Sequence, residues 1–175
     1  RLRKFKRAIE LPRVRRVLGI LQGLRPQTVL DIGSGRGTFL WPLLETFAEL
    51  DVTAVDVDAQ RFADLQCVRA GGVTRLTPGR MDATALSFAD GAFDVVTLLE
   101  VLEHIPAAGT ALAEVCRVAK RIVVISVPSK ADDNPEHVHL FDQDSLTQML
   151  AACGVDRVRF EYVLGHMIAV VNLTG

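Results

Sequence analysis

The chain contains the segment Val29-Leu30-Asp31-Ile32-Gly33-Ser34-Gly35-Arg36-Gly37-Thr38-Phe39, and its architecture can be worked out from there. An apolar, β-branched run ends in an acid, three glycines follow at alternating positions, and a helical pattern covers residues 39–50. This order predicts a strand, a tight turn and a helix. Glycine tolerates positive φ and has no Cβ, and the first amides of the next helix are free. We therefore expect the turn to hold a ligand.

Composition narrows the class of protein. The chain has 175 residues, of which 49% are hydrophobic and 23% charged, as expected for one globular domain. No apolar run approaches the ~18 residues of a membrane span, and the basic start is not followed by the apolar part of a signal peptide. These observations predict a cytoplasmic protein without a membrane span. The three cysteines lie far apart among aliphatic residues, which favours buried free thiols over disulfides or a metal cluster.

Charge is divided unevenly along the chain. Residues 1–25 contain nine Lys and Arg and a single acid, whereas residues 26–175 contain eleven Lys and Arg and twenty acids. Apolar residues recur at nearly helical spacing within residues 1–24, and Pro12 interrupts them, which predicts two short helices with the second packed on the body. We therefore divide the chain into a basic helical segment, 1–24, and a domain, 25–175. A solvated helix face explains the basic residues more simply than a contact with phosphates or nucleic acid, or a lid over an anionic substrate.

A second buried strand, at residues 52–58, ends in acids. Asp56 lies nineteen positions after Gly37, close to the ~20 residues at which an open α/β sheet places a carboxylate for ribose hydroxyls. One carboxylate can accept hydrogen bonds from two adjacent hydroxyls. The competing interpretation is that Asp58 caps the next helix and that Asp56 has no role of its own.

The remaining pattern alternates between helices and strands. The predicted segments are a helix at 59–70, a short strand at 73–76, a strand at 95–99 followed by Glu100, a helix at 107–117, a strand at 122–128, a helix that begins at Asp142 or Asp144 and ends near Cys153, and a hairpin of 156–164 and 166–173. Such alternation predicts an α/β fold with a doubly wound parallel sheet and a ligand crevice at the carboxyl ends of the strands. The acids expected to surround that crevice are Asp31, Asp56, Asp82 and Glu100.

Together these motifs resemble the class I S-adenosylmethionine (SAM)-dependent methyltransferases. Gly-x-Gly-x-Gly with an acid two positions upstream is similar to motif I of that family, whereas a dinucleotide fingerprint would need a small residue at Thr38. Asp56, the segment 79–88 and the run 88–106 match later motifs, and the last resembles the branch that includes the quinone-biosynthesis enzymes. The resemblance covers about residues 25–128. It implies a Rossmann-like, mostly parallel seven-stranded sheet in the order 3-2-1-4-5-7-6 with a C-terminal antiparallel hairpin.

The same resemblance implies SAM as the cofactor and S-adenosylhomocysteine as the product. In the family, the first acid and the glycines surround the amino-acid end of SAM. The acid after the second strand binds the ribose hydroxyls, and an acid followed by a small residue after the third strand meets the adenine edge. The predicted cofactor-binding residues are Asp31, Gly33, Gly35, Gly37, Asp56, Val57, Asp82 and Ala83.

The implied chemistry is transfer of an activated methyl group to a small molecule by in-line displacement, at a hydroxyl or a carboxylate oxygen. A hydroxyl acceptor needs a base, such as histidine, whereas a carboxylate acceptor needs none. His104 follows the fourth strand, and His137 and His139 follow the fifth. The spacing of Glu100, Glu103 and His104 would place them on one face of a helical turn. We predict Glu100 and these three histidines as catalytic. The competing interpretations are a helix-start motif at Glu103 and His104, and mere packing for one of the later histidines.

Two other functions stay open. Glu-x-x-Glu-His followed by later histidines resembles the enzymes that methylate the 3′-terminal 2′-hydroxyl of small RNAs at a metal site. The ligands implied by that resemblance are Glu100, Glu103, His104 and His137 or His139, which suit Mg²⁺ or Mn²⁺, and the basic segment would contact RNA. The motif also occurs in the metal-free quinone-type branch, and few aromatic residues are available for base stacking. We therefore favour a small-molecule acceptor, without a metal ion or nucleic acid. The last alternative is a SAM-binding domain without catalysis. None of these patterns specifies an oligomeric state.

Overall fold

The computed structural model describes residues 11–130 and 133–174. Its elements are α1 (Pro12–Leu24), β1 (Thr28–Ile32), α2 (Leu40–Thr46), β2 (Asp51–Asp56), α3 (Ala59–Ala70), β3 (Leu76–Arg80), β4 (Phe93–Leu99), a short 3₁₀ helix (Leu102–His104), α4 (Ala108–Val118), β5 (Ala119–Pro128), α5 (Gln143–Ala152), β6 (Val158–Val163) and β7 (His166–Asn172). Strands and helices alternate as predicted.

The sheet has the predicted topology. Its seven strands follow the order β3-β2-β1-β4-β5-β7-β6, in which β1 to β5 are parallel and β7 is antiparallel to β5 and β6. Val29 of β1 pairs with Val52 of β2 on one side and with Val95 of β4 on the other. The connections reverse direction between β1 and β4, so the ligand crevice of a doubly wound sheet belongs at the carboxyl ends of these two strands.

Helices cover both faces of the sheet because its central strands are apolar on both sides. Residues 122–127 of β5 are all buried, as expected for such a strand. On one face, α1 and α2 pack against the strands through Leu21 and Leu40. On the other face, α4 and α5 pack through Leu112 and Leu146. The result is the α/β, doubly wound architecture that the sequence predicts.

Three local predictions are wrong. The third strand is Leu76–Arg80 and not 73–76, and it contains Pro78. A residue without an N–H is tolerated there because β3 is an edge strand. The helix after the glycine-rich turn ends at Thr46, earlier than predicted. The cysteines are not fully buried, since Cys67 is exposed and Cys116 and Cys153 are half-buried, although all three are free as predicted.

Two acids cap helices. Asp58 accepts a hydrogen bond of 2.9 Å from the amide of Arg61 at the start of α3. Asp142 accepts a hydrogen bond of 2.8 Å from the amide of Ser145 at the start of α5. Side-chain acceptors at these positions satisfy amides that the helix leaves free. The structure therefore selects Asp142 over Asp144 as the cap of α5.

The helix α1 begins with Pro12 in its first turn and packs on the body through Val14 and Val17. Arg16 donates from two nitrogens to the Glu161 carboxylate on β6, which ties α1 to the C-terminal hairpin. The first of the two predicted N-terminal helices lies outside the described residues, and the division at residue 24 stays a prediction. Within the described residues, every helix is too short or too polar to cross a membrane.

Candidate active site

The glycine-rich turn between β1 and α2 has positive φ at all three glycines. The angles are 69° at Gly33, 52° at Gly35 and 77° at Gly37. A Cβ on Gly33 would lie 2.5 Å from Val101, and one on Gly37 would lie 2.0 Å from the indole of Trp41. A Cβ on Gly35 would lie 3.8 Å from the Gly33 carbonyl oxygen, which is an ordinary van der Waals contact. Close packing therefore explains Gly33 and Gly37, whereas a Cβ at Gly35 would not clash with the protein and would extend toward whatever the turn holds.

A cavity of about 180 Å³ lies beside this turn. Its wall comprises Arg13, Val14, Val17, Asp31, Gly33, Ser34, Gly35, Arg36, Thr38, Phe39, Leu99, Glu100 and Ser126. The cavity thus joins the turn to the carboxyl ends of β1, β4 and β5, and α1 covers it. Two acids and two guanidinium groups border this small space, which suits a ligand that carries both charges.

Asp31 is the most strongly perturbed acid of the site. It is 2% exposed, and its Oδ1 accepts a hydrogen bond of 2.8 Å from Thr97 Oγ1. Its Oδ2 has no hydrogen-bond partner among the described residues. Burial raises the pKa of Asp31 to about 7, against the opposing effect of the Thr97 hydroxyl, and the nearby charge of Asp56 raises it further. A cationic ligand group at Oδ2 would satisfy this oxygen and favour the ionised carboxylate.

Asp56 holds the turn from the end of β2. Its Oδ2 accepts a hydrogen bond of 3.0 Å from the Gly35 amide, and its Oδ1 accepts one of 3.0 Å from the Asp58 amide. Asp56 is 8% exposed. The competing interpretation is thus correct that Asp58 caps α3. Asp56, however, makes two hydrogen bonds of its own.

The segment after β3 lies next to the end of β2. Met81 donates its amide to the Asp56 carbonyl oxygen at 3.2 Å. The Asp82 carboxylate accepts from the amide and from the hydroxyl of Thr84, each at 2.8 Å, and these bonds lower the pKa of Asp82. Ala83 is buried, whereas Val57 is 63% exposed. Val57 directly follows Asp56 in the chain, so its exposed side chain is an apolar surface beside a carboxylate.

Glu100 directly follows β4 and has a φ of 57°. Its amide donates to the Ser126 carbonyl oxygen at 2.9 Å, and its Oε1 accepts from Ser126 Oγ at 2.7 Å. Its Oε2 lies 3.1 Å from Nε2 of His166, and its Oε1 lies 3.9 Å from Nε of Arg13. The predicted helical turn that carries Glu100, Glu103 and His104 together is therefore wrong. The 3₁₀ helix begins only at Leu102, and the left-handed backbone of Glu100 separates it from that helix.

A second group of side chains combines two residues of the 3₁₀ helix with His137 of the loop after β5. Glu103, His104 and His137 each offer a ligand atom, and these atoms lie within 4.8 Å of one another. Nδ1 of His104 lies 3.0 Å from the Glu136 carbonyl oxygen, which leaves Nε2 as the unprotonated nitrogen of a neutral ring. Glu100 does not belong to this group.

His139 is separated from His137. Its Nε2 lies 3.1 Å from the carbonyl oxygen of Ile105 and 3.2 Å from that of Pro106. The amides of Val138 and His139 both donate to the Glu103 carbonyl oxygen, at 2.9 and 3.2 Å. These bonds attach the loop after β5 to the 3₁₀ helix. Of the two later histidines, His139 is therefore the one whose contacts fit a packing role.

Residues 29–121 match the model of a family described as a methyltransferase domain. The chain belongs to this family. A demethylmenaquinone methyltransferase of Renibacterium salmoninarum is 30% identical over an alignment that covers 82% of this chain and 72% of that protein. A ubiquinone biosynthesis O-methyltransferase of Paraburkholderia xenovorans is 37% identical over 99 residues, which cover 54% of this chain and 40% of that protein.

The fold is also that of solved methyltransferases. A SAM-dependent methyltransferase from Aquifex aeolicus superposes with a TM-score of 0.76 at 23% identity, over 94% of this chain and 90% of that one. This likeness confirms the architecture and the strand order. The predictions of a class I, SAM-dependent methyltransferase with S-adenosylhomocysteine as product are confirmed by the family and the fold.

The site of this methyltransferase fits SAM on structural grounds. The amino-acid end of SAM carries an ammonium and a carboxylate, and the cavity offers the unsatisfied Oδ2 of Asp31 together with the guanidinium of Arg13. Glycine at position 35 leaves the backbone of the turn without a side chain that would keep a ligand away. The cavity thus offers one group of each sign for the two charges of the amino-acid end.

Sequence reasoning missed three residues of the site. Arg13 was assigned to a basic helix face, Ser126 to a buried strand, and His166 was the one histidine without a predicted role. Arg13 and Ser126 line the cavity, and His166 contacts the cavity-lining Glu100. Because Arg13 directly follows Pro12, the sequence indicates that it belongs to the first turn of a helix. Nothing in the neighbouring residues indicates which groups it faces.

Proposed function

We propose that this methyltransferase transfers the methyl group of SAM to a hydroxyl oxygen of a small, quinol-type aromatic molecule by in-line displacement. Of the two relatives described above, one is named a demethylmenaquinone methyltransferase and the other a ubiquinone biosynthesis O-methyltransferase, which supports a quinol-type acceptor. The observation that carries the proposal is the position of Glu100, a carboxylate at the end of β4 in the wall of the cavity beside the glycine-rich turn. A carboxylate there can take the proton that a hydroxyl acceptor must lose.

The amino-acid end of the cofactor is held between α1 and the turn in this proposal. Asp31 accepts a hydrogen bond from the ammonium through Oδ2, and Arg13 binds the carboxylate. Arg13 lies in the first turn of the thirteen-residue α1, where the helix dipole adds partial positive charge. Val14 and Val17 of the same helix line the cavity and exclude water from it.

The nucleoside end follows the edge of the sheet. Asp56 keeps lone pairs beyond the amides of Gly35 and Asp58, and these accept from the ribose hydroxyls. Val57 supplies an exposed apolar surface for the adenine ring. The second oxygen of Asp82 accepts from the exocyclic amine, and the Ala83 amide donates to a ring nitrogen.

When bound, SAM supplies a methyl group activated by a sulfonium. The chain then has to align the acceptor oxygen behind that methyl group and remove the hydroxyl proton. We propose that Glu100 takes the proton, and that His104 in the 3₁₀ helix and its neighbour His137 contact the acceptor. His139 contributes by fixing the loop after β5, because its Nε2 is engaged with backbone carbonyl oxygens.

The experiment is methyl transfer from labelled SAM to matched acceptors. The panel consists of a reduced 1,4-naphthoquinol with a short side chain, a catechol, the methyl-blocked form of each, and a benzoate that offers a carboxylate oxygen. We expect transfer to the free phenols and none to the blocked forms. Transfer to the benzoate alone would mean that the acceptor atom is a carboxylate oxygen and not a hydroxyl oxygen. Tight SAM binding without transfer to any acceptor would favour the non-catalytic SAM-binding domain.

We propose as second candidate a metal-dependent methylation of an RNA 3′ end, because Glu103, His104 and His137 form a group with metal-ligand spacing. Two imidazoles and a carboxylate favour Mn²⁺ over Mg²⁺. In this structure the predicted ligand Glu100 lies apart, with Ser126 and His166. A parallel reaction with a short RNA, with and without chelator, tests this candidate. Label in RNA that disappears with chelator would support it over the quinol proposal.

A further inference from the structure

We infer that His166 is a positioning residue for Glu100 and the last group of the protein to hold the proton that the acceptor hydroxyl loses, before solvent takes it up. This inference rests on the proposed transfer to a hydroxyl oxygen. Neither His166 nor its contact with Glu100 follows from the motifs of the sequence. The contact joins the end of β4 to the first residue of β7, which are brought together only by the sheet.

The two ring nitrogens of His166 face two oxygens. Nδ1 lies 3.2 Å from the Leu164 carbonyl oxygen, and Nε2 lies 3.1 Å from Oε2 of Glu100. A carbonyl oxygen can only accept, so Nδ1 carries a proton. An ionised carboxylate also only accepts, so the contact at Nε2 becomes a hydrogen bond when one further proton is present. The arrangement is thus built to receive a single proton between Glu100 and His166.

Unusual backbone conformations hold both partners in place. Glu100 has a φ of 57°, and Leu164 has a φ of 38° in the two-residue turn before His166. Positive φ is unfavourable for both residue types, and such strain persists where the surroundings enforce it. Gly165 completes the turn, and its carbonyl oxygen accepts from the Ser129 amide at 2.9 Å, which fixes the turn to the end of β5. The two residues with positive φ, Glu100 and Leu164, therefore lie on either side of the contact between Glu100 and His166.

Other charged and polar groups around the pair are compatible with this role. Arg13 of α1 lies 3.9 Å from Oε1, Ser126 of β5 donates to the same oxygen, and Asp31 of β1 lines the same cavity. These contacts orient Oε1 and leave Oε2 with His166. The Glu100 and His166 side chains are 24% and 25% exposed, so the proton can leave to solvent after the transfer.

In the proposed step, methyl transfer to the acceptor oxygen is coupled to transfer of the hydroxyl proton to the protein. The acceptor O–H bond breaks, and its electron pair forms the O–CH₃ bond. The S–CH₃ bond breaks, and its electron pair stays on sulfur in neutral S-adenosylhomocysteine. The proton passes to Glu100 and then to Nε2 of His166, which leaves an imidazolium next to a carboxylate. Solvent takes up this proton before the next turnover.

The test compares three variants with the wild type on the reduced naphthoquinol. Gln in H166Q can donate to Glu100 from the Nε2 position but cannot take up a proton. We expect H166Q to lower kcat on the order of 100-fold with the KM for SAM nearly unchanged. We expect H166A to be equally slow and to regain activity with added imidazole. Tyr162→Phe, on the exposed face of the same hairpin, serves as the control and should keep the wild-type rate.

A double-mutant cycle shows whether His166 acts through Glu100. In an E100Q background, H166Q should cause little further loss, because the proton path is already broken. Full additivity of the two losses would overturn the inference, and so would wild-type kcat in H166Q or a lack of rescue by imidazole. If the wild type itself transfers no methyl group to either phenol of the panel, the proposed function fails first, and that result is seen before any variant is made.

Discussion

The Gly35 amide donates a hydrogen bond of 3.0 Å to Oδ2 of Asp56, and this bond links the glycine-rich turn to the end of β2. The residue that leaves space for the ligand and the acid proposed to bind its ribose are therefore parts of one unit. The neighbouring oxygen of Asp56 accepts from the Asp58 amide, so both carboxylate oxygens are oriented before a ligand binds. Such preorganisation lowers the entropic cost of binding.

Asp56→Ala should weaken binding of S-adenosylhomocysteine by about 10- to 100-fold. The change removes both the ribose acceptor and the support of the turn, and hydrogen bonds to charged groups contribute roughly 1.5–3 kcal/mol each. Titration calorimetry measures the effect. Asp58→Ala is the matched control: it removes the cap of α3 and costs about 1 kcal/mol of folding free energy, but affinity should be retained. Equal losses of affinity in both variants would contradict the role of Asp56.

Two glycine substitutions should separate stability from binding. Gly37→Ala places a Cβ against the Trp41 indole at a φ of 77°, so we expect a loss of about 2–4 kcal/mol in urea unfolding. The Cβ in Gly35→Ala would make only an ordinary contact, 3.8 Å from the Gly33 carbonyl oxygen, so the change should cost about 1 kcal/mol from its positive φ. Its larger effect should be weaker SAM binding, since the Cβ occupies ligand space. A Gly35→Ala protein with unchanged affinity would place the ligand elsewhere.

Arg13→Ala should weaken SAM binding by roughly 10- to 100-fold, because the carboxylate loses its charged partner. Binding of 5′-methylthioadenosine, which lacks the amino-acid end, should stay the same. Arg15→Ala, on the exposed side of the same helix, is the control. Loss of affinity for both ligands in Arg13→Ala would indicate a displaced α1 and not a carboxylate contact.

Asp31 should make stability depend on pH in an unusual direction. Its pKa is raised from 3.8 to about 7 in the folded protein, so the protonated form favours folding. Its contribution is fully present below about pH 4 and is lost as the pH rises through about 7. Relative to the wild type, Asp31→Asn should therefore gain stability over this range, up to the order of 4 kcal/mol. Urea unfolding at several pH values measures the difference, and a constant difference would contradict the account.

The second group of side chains makes its own prediction. If Glu103, His104 and His137 hold Mn²⁺, His137→Ala should abolish the electron paramagnetic resonance signal of bound Mn²⁺. His139→Ala should retain that signal, because the His139 ring is engaged with the Ile105 and Pro106 carbonyl oxygens. A wild-type protein that binds no Mn²⁺ would remove support for the RNA candidate.

Local patterns predicted the fold well, and Asp31, Gly33 and Gly35 of the predicted set line the cavity, while the roles of these residues toward the cofactor stay predictions. Strand periodicity and alternation with helices gave the order of elements, and the resemblance gave the position of β7 between β5 and β6, which the structure confirms. The acceptor side was harder to predict. Glu100 leaves the expected helical turn because its φ is positive, and no residue pattern signals that conformation. Arg13 and His166 reach Glu100 through contacts between segments far apart in the chain, which depend on packing and not on local sequence.

The most direct test of the central claim is the position of the transferred methyl group. The methyltransferase is incubated with SAM carrying a ¹³C-labelled methyl group and with the reduced naphthoquinol, and the product is examined by carbon NMR. We predict a single labelled resonance, at the chemical shift of a methyl carbon that is bonded to oxygen. A labelled methyl group on a ring carbon, or no labelled product from any phenol, would contradict it.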